Sequence, residues 1–344
     1  MRRTPLTTAT PVHGDGRLAT RFFDNVTLSK KLYGVSIAAF ASKATTPTRV
    51  CGIGYPTDHT FHLGSIGKAV NGLVYSQLVA QRVIRPQDTL ADYLPLDGTP
   101  AGRATLESLL THTSGLPPTG ETRIQGLGLT WRMLTGRDPQ PGTLDVLLEH
   151  LRRVPAPSGH CGYSNLGGAA LGHALAAAAQ TTYPHLIEEY VARPLGCPTM
   201  RVPRPSEPDG PQDVPGSSIL GFRQTPWTGE GYAPCGGIRV SAEDMAILLK
   251  AVLVTPLPGW DTAFQPLCPA DGMFGSQWDA SIGAGWFIED DGLVWHTGYA
   301  AGFNSVVLLD RTLGNGVFLS AIDGPQGTDP MPVARSILEA LNDK

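Results

Sequence analysis

The sequence predicts a mixed α/β (α+β) fold: an antiparallel sheet flanked by terminal helices, plus a mostly helical inserted domain. Three observations carry this. Short apolar runs bounded by turn residues lie near the N-terminus, and similar runs return at close intervals near the C-terminus. Between them, apolar residues recur at three and four positions, the spacing of helices. The simplest arrangement is one sheet made from both chain ends. Residues 16–70 and 230–344 are expected to form this discontinuous sheet domain, and residues 71–229 the helical one.

The elements follow in order. Tyr33–Ala41 reads YGVSIAAFA, a buried strand, with a partner expected near Arg49–Gly54. From Ser65 onward, Ile66, Ala69, Val70, Leu73, Val74 and Leu78 mark an amphipathic helix running to about Gln81. Leu106–Leu110, Leu144–Arg152, Leu166–Ala179 and His185–Val191 also read as helices, separated by Pro/Gly-rich loops at Gly115–Pro141 and Pro198–Pro215. Ala242–Val252 is a helix capped by Ser241, with Glu243 and Asp244 in its first turn. Strand signals return at Gly285–Ile288, Leu293–His296, Ser305–Asp310 and Gly316–Ala321, close enough for an antiparallel meander. Pro332–Leu341 closes the chain as a helix.

Composition narrows the function. The chain has 344 residues, 41% of them apolar, which allows a sizeable core. Gly (41) and Pro (30) are abundant, as expected of ordered, turn-rich loops. The net charge is −4 and no basic run appears, which argues against nucleic acid or an anionic membrane as partner. The five cysteines (Cys51, Cys161, Cys197, Cys235 and Cys268) form no C-x-x-C pair, so neither a zinc knot nor a disulfide framework is expected. They read mostly as buried thiols in a reducing compartment. No apolar segment of a signal peptide follows Arg2-Arg3, and Leu166–Ala179 is too short to span a bilayer. A cytoplasmic protein is therefore expected. Its oligomeric state is left open.

The chemistry-bearing residues begin at Ser65-Ile66-Gly67-Lys68. At a helix start, residues three apart share a face, which sets a hydroxyl beside an amine. Serine is a poor nucleophile until a neighbour takes its proton, and a buried lysine whose charged form is disfavoured can do so. The helix N-terminus also points N–H groups at a developing oxyanion. Taken alone, S-x-x-K is a weak pattern, and a capping serine followed by a surface lysine fits it better. Tyr163-Ser164-Asn165 adds a phenol and an amide after the turn Pro157-Ser158-Gly159 and just before a helix. A tyrosine near a lysine can relay a proton to a leaving group. His296-Thr297-Gly298 is placed at the end of a strand, where Gly lets a substrate backbone lie alongside. Each is the single occurrence of its pattern, S-x-x-K, Y-x-N and [KH]-T-G, and they come in that order. Other motifs fail. Gly67-Lys68 lacks the Ser/Thr and the first Gly of a P-loop, Gly162–Leu166 lacks the last Gly of a nucleophile elbow, and H-E-x-x-H is absent.

With these motifs the sequence resembles the serine β-lactamase/penicillin-binding-protein superfamily. The branch is that of class C β-lactamases, D-alanyl-D-alanine carboxypeptidases and β-lactamase-like esterases. The likeness runs through FHLGSIGK at Phe61–Lys68, LLTHTSGLP at Leu109–Pro117 and CGGIRVSAED at Cys235–Asp244. It continues through Gly283–Trp286 and HTGYAAGFNS at His296–Ser305. The resemblance implies a β-lactamase-like fold with its active site in the cleft between the two domains. It implies acylation of Ser65, with Lys68 holding or taking its proton and Tyr163 as general acid/base. Asn165 would orient the substrate or the Lys68 amine. His296, Thr297 and Gly298 would meet the substrate, His296 standing where many members have lysine. The N–H groups of Ser65 and Tyr299 would form the oxyanion hole. Neither metal nor organic cofactor is implied.

A permanent lysine charge at the third motif suits a β-lactam or peptide carboxylate, whereas histidine is charged only near or below a pKa of about 6.5. The first expectation is therefore a hydrolase of a small acyl ester or amide. Next comes a transacylase of small-molecule biosynthesis, passing the acyl group to an amine or alcohol. A carboxypeptidase or β-lactamase follows, and a non-catalytic binding homologue comes last. The expected partner is a small-molecule acyl substrate, with no nucleic acid or membrane. His112 is read as structural and Cys235 as a packed small residue. Trp131, Trp227, Trp278 and Trp286 are core or loop anchors, any of which could line an acyl pocket.

Overall fold

The computed structural model describes residues 4–28, 31–138, 140–155, 162–205, 207, 209–218, 220–270, 280–300, 302–323 and 329–342. The turn Pro157-Ser158-Gly159, Cys161 and Trp278 lie outside the described residues. So does the Arg2-Arg3 segment.

The chain opens with β1 (Val12–Gly14), α1 (Gly16–Asn25), β2 (Gly34–Ala41), β3 (Thr48–Ile53) and β4 (Thr60–His62). The helical block holds α2 (Ile66–Ala80), α3 (Leu106–Leu110), α4 (Arg123–Thr135), α5 (Leu144–Arg153) and α6 (Asn165–Ala178). It ends with α7 (Tyr183–Ile187), a π-helical turn Glu188–Ala192, and α8 (Arg193–Leu195). Two short strands follow, β5 (Gly216–Ser217) and β6 (Arg223–Gln224), then β7 (Arg239–Ser241) and α9 (Ala242–Val254). The last part runs β8 (Cys268–Pro269), β9 (Ala280–Ile282), β10 (Phe287–Glu289), β11 (Leu293–Ala300), β12 (Phe303–Asp310), β13 (Asn315–Ile322) and α10 (Met331–Asn342).

Nine strands form one sheet in the order β1-β3-β2-β13-β12-β11-β10-β9-β8. The two chain ends meet where β2 pairs antiparallel with β13, from Asn315↔Ala41 to Ile322↔Gly34. Strand side chains alternate between faces. Val35, Ile37, Ala39, Val317 and Leu319 therefore face one core with α1 and α10, which holds Phe22 and Ile337. Ala38, Phe40 and Phe318 face the other core with α2, α9 and the helical block. The mixed fold expected from sequence is the observed one. Among the described residues no helix is long and apolar enough to cross a membrane.

Several elements differ from expectation. Helix α2 is not amphipathic but buried nearly all round: beyond the predicted apolar stripe, Gly67, Lys68, Asn71, Gly72, Tyr75 and Ser76 are buried as well. A Cβ on Gly72 would lie 1.7 Å from the carbonyl oxygen of Ala284, so the Gly283–Trp286 loop packs directly on the helix. The segment read as the loop Gly115–Pro141 contains α4, and the flanking helix at the N-terminal end, to which the sequence reading gives no bounds, is α1. The helix read as His185–Val191 begins at Tyr183 and continues through the π turn to Leu195. The strand read as Gly285–Ile288 is Phe287–Glu289. The strand placed at Leu293–His296 runs on to Ala300, because β12 pairs with it along its whole length.

Candidate active site

Strand β4 pairs with β7 and delivers the chain through Leu63 and Gly64 to Ser65. Gly64 takes φ +59, and a Cβ there would lie 2.6 Å from the Tyr299 nitrogen. Only glycine meets both demands. From the other side, a Cβ on Gly298 would lie 3.1 Å from the Ser65 nitrogen. The backbones at Gly64-Ser65 and Gly298-Tyr299 are thus in contact. Ser65 is the N-cap of α2, but its hydroxyl makes no capping bond.

One turn on, Lys68 is buried. Its Nζ donates to Ser65 Oγ at 3.0 Å, Asn165 Oδ1 at 2.8 Å and the Cys235 carbonyl oxygen at 2.8 Å. Three oxygen atoms thus lie within hydrogen-bonding reach of the Lys68 amine. Asn71, on the same helix, donates to the Pro234 carbonyl oxygen and accepts from the Tyr183 hydroxyl. It thereby fixes the turn that presents Cys235.

Ser164, not Asn165, caps α6: its Oγ accepts from Gly167 N at 2.9 Å. Asn165 is the first residue of that helix and faces Lys68. The LLTHTSGLP segment cradles this turn. The His112 carbonyl accepts from Gly162 N, and Pro118 O accepts from Asn165 N at 2.9 Å. Pro117 O accepts from Ser164 Oγ at 2.6 Å, and His112 Nδ1 accepts from Ser164 N at 3.3 Å. The His112 ring lies 4.4 Å from that of Tyr163, centroid to centroid. The Tyr163 ring in turn lies 4.9 Å from Lys68 Nζ.

The third motif behaves differently from expectation. His296 is 2% exposed, and its Nδ1–H donates to the Thr297 carbonyl oxygen at 2.5 Å. Burial first, then the nearby Lys68 charge, pushes its pKa down to about 3. His296 is therefore neutral at physiological pH, and the charge near pH 6.5 expected from an exposed imidazole does not apply. Burial first, then the nearby Lys68 charge, also pushes His112 down to about 3. Thr297 is half-buried beside it in β11.

A cavity of about 210 Å³ reaches Ser65, Asn165 and Tyr299. Trp227, Tyr232 and Cys235 also line it. Of the tryptophans considered from sequence, Trp227 reaches this cavity, Trp131 is exposed on α4, and Trp286 is buried against Phe264. A larger groove of about 610 Å³ lies elsewhere, beside α8 and residues 198–207. It holds none of the motif residues, and Arg193, Arg201 and Arg204 there are engaged by Glu188, Asp213 and Glu207.

The structure thus gathers Ser65, Lys68, Tyr163, Asn165, Gly298 and the Tyr299 backbone. It leaves the His296 imidazole buried and outside the cavity wall. Sequence reasoning read His112 as structural without saying what it holds, and missed the carbonyl of Cys235 as an acceptor for Lys68. Both sit in segments already singled out, but backbone conformation and carbonyl direction leave no mark in residue identity.

Comparison with known proteins bears on the fold and the family. Over a 146-residue stretch the chain is 32% identical to the D-alanyl-D-alanine-carboxypeptidase/endopeptidase AmpH of Escherichia coli strain K12. The match covers 40% of this chain and about a third (36%) of that relative's length. Among solved structures, the class C beta-lactamase from Rhodobacter sphaeroides superposes with a TM-score of 0.75 at 18% identity, covering 95% of this chain and 100% of the other. The Beta-lactamase/D-alanine Carboxypeptidase from Yersinia pestis gives 0.72 at 19% identity, covering 95% and 96%. A D-stereospecific amidohydrolase from Streptomyces sp. gives 0.71 at 20%, covering 88% and 92%. These likenesses establish the shared fold. The Beta-lactamase family model matches residues 19–341, nearly the whole chain, and the protein belongs to that family.

Proposed function

We propose that the protein is a serine hydrolase that cleaves a small acyl ester or amide through an acyl-Ser65 intermediate. The observation that carries this reading is the Lys68 amine, buried and hydrogen-bonded at once to Ser65 Oγ and Asn165 Oδ1. In the forward step Ser65 Oγ bonds to the substrate carbonyl carbon, and its proton passes through the Lys68/Tyr163 pair. The bond to the leaving group then breaks, and that proton goes to the departing alcohol or amine. The N–H groups of Ser65 and Tyr299, held together by the Gly64 and Gly298 contacts, are suited to receive the carbonyl oxygen as it becomes negative. Asn165 orients the amine. Water then attacks the acyl carbon, the bond to Ser65 Oγ breaks, and the acid leaves while the proton taken from the water returns to Ser65 Oγ through the same pair. The buried free thiols of Cys51, Cys197 and Cys235 fit a reducing setting such as the cytoplasm.

The test is intact-mass spectrometry after treatment with a fluorophosphonate. One adduct is expected on the wild type and none on Ser65→Ala. An adduct retained by Ser65→Ala overturns the assignment. Acylated enzyme incubated with amines and alcohols should release mainly free acid. Mainly amide or ester product would instead identify a transacylase.

A further inference from the structure

We propose that the cavity beside Ser65 takes an uncharged, apolar acyl group of about seven non-hydrogen atoms and rejects acyl donors whose chain ends in a carboxylate. The size follows from about 210 Å³ of space, taking roughly 30 Å³ per atom as for a water molecule in the liquid. This inference rests on the reading of Ser65 as the acylated residue.

The lining carries the argument. On one side stand Leu129 and Met133, four residues apart and so on one face of α4. Ile124, Leu127 and Trp131 point from the same helix to solvent. Across the cavity stand Trp227, Cys235 and Ala300. Burial pushes the Cys235 thiol up to about 11, so it is neutral as well. The polar members, Thr119, Gln140 and Asn165, carry no charge. The Tyr232 hydroxyl is already engaged, hydrogen-bonded to His150 Nδ1 at 2.8 Å and accepting from Gly120 N at 3.3 Å. Among the described residues, no Lys, Arg, His, Asp or Glu lines this space.

The two cationic candidates nearby do not serve a carboxylate. Lys68 is committed to three oxygen acceptors, and His296 is neutral and donates to Thr297. A carboxylate drawn into such walls loses its water and gains no ion partner, whereas a methyl-ended chain gains from burial.

The experiment compares p-nitrophenyl hexanoate with mono-p-nitrophenyl adipate, which puts a carboxylate where hexanoate has its methyl. Acylation of Ser65 is followed by rapid quench and intact-mass spectrometry. Acylation by hexanoate should be about 100-fold faster or more. Equal rates, or faster acylation by adipate, overturn the proposal. In Met133→Lys, whose half-buried position admits a longer side chain, the hexanoate/adipate ratio should fall by about tenfold. A ratio unchanged in that variant, with its circular dichroism intact, also overturns it. If a fluorophosphonate labels Ser65 but neither ester acylates it, this proposal falls alone. If none of the three labels Ser65, the acyl-enzyme reading falls with it.

Discussion

The His112 imidazole lies against the Tyr163 ring, centroids 4.4 Å apart and planes inclined at 41°. Three further features hold it there. Its backbone is left-handed (φ 58), its carbonyl accepts from Gly162 N, and its Nδ1 accepts from Ser164 N. His112 is thus a positioning residue for the tyrosine, acting through packing and two hydrogen bonds.

His112→Asn should retain most activity. Asparagine tolerates the left-handed backbone, and its side-chain oxygen can accept from Ser164 N. His112→Ala loses the ring and the acceptor, and pays about 1–2 kcal/mol of backbone strain. Its kcat should fall roughly 10- to 100-fold with little change in KM. Steady-state kinetics of both variants check this. Equal activity in the alanine and asparagine variants would count against the positioning role.

A methyl group at Gly168 would fall 2.7 Å from Cε and 3.1 Å from Cδ of Lys68. The lysine chain is flexible, so Gly168→Ala should cost little stability. Helix propensity offsets part of the strain by up to about 1 kcal/mol. The displaced amine should lower kcat about 100-fold. Denaturant midpoints and turnover, measured on the same preparation, separate the two effects.

Gly298→Ala should fail differently. Its Cβ would meet the Leu63 carbonyl oxygen at 2.0 Å, and backbone cannot move aside as a side chain does. Stability should drop by about 1–3 kcal/mol. Activity should fall further than stability accounts for, because the Tyr299 and Ser65 amides are pushed apart. The readouts are an unfolding curve and kcat under conditions where the variant is fully folded.

Acid should destabilise the fold through His112 and His296. Both are held near 3, below the value of about 6.5 for an unfolded histidine. Above pH ~6.5 neither state is protonated there, and their contribution to stability is fully present. As pH falls from ~6.5 toward ~3, the unfolded chain binds protons that the folded one excludes. Each residue then removes up to roughly 1.4 kcal/mol per pH unit. Urea midpoints should therefore decline steadily between pH 6.5 and 4. Imidazole NMR signals of the folded protein should show both rings untitrated at pH 5.

Much of the site was legible because it lies in short local patterns. The three motifs needed only identity and order, and the meander after Phe287 needed only alternation. Helix α4 was hidden by Gly126 and Gly128 and by apolar residues that face both inward and outward. Helix α1 was readable: Asp15 caps it, and Leu18 and Phe22 are one turn apart. The charge state of His296 was beyond reach, since it depends on residues that fold over it from elsewhere in the chain.

The joining of β2 to β13 sets a timetable for making this protein. The hydrogen bond from Ser42 N to Asn315 Oδ1, at the end of that pairing, spans 273 residues. At roughly 5–20 residues per second of synthesis, β2 waits about 14–55 seconds for the neighbour that completes its edge. All eight of its residues are buried in the finished fold, so the waiting strand is a sticky surface on the nascent chain. Ser65 and Lys68 emerge early in that interval, and the strand carrying Gly298 and Tyr299 emerges near its close. A chain stalled before Leu293 holds Ser65 and Lys68 without the Gly298-Tyr299 backbone that packs against them, so on the proposed reading it carries only part of the site.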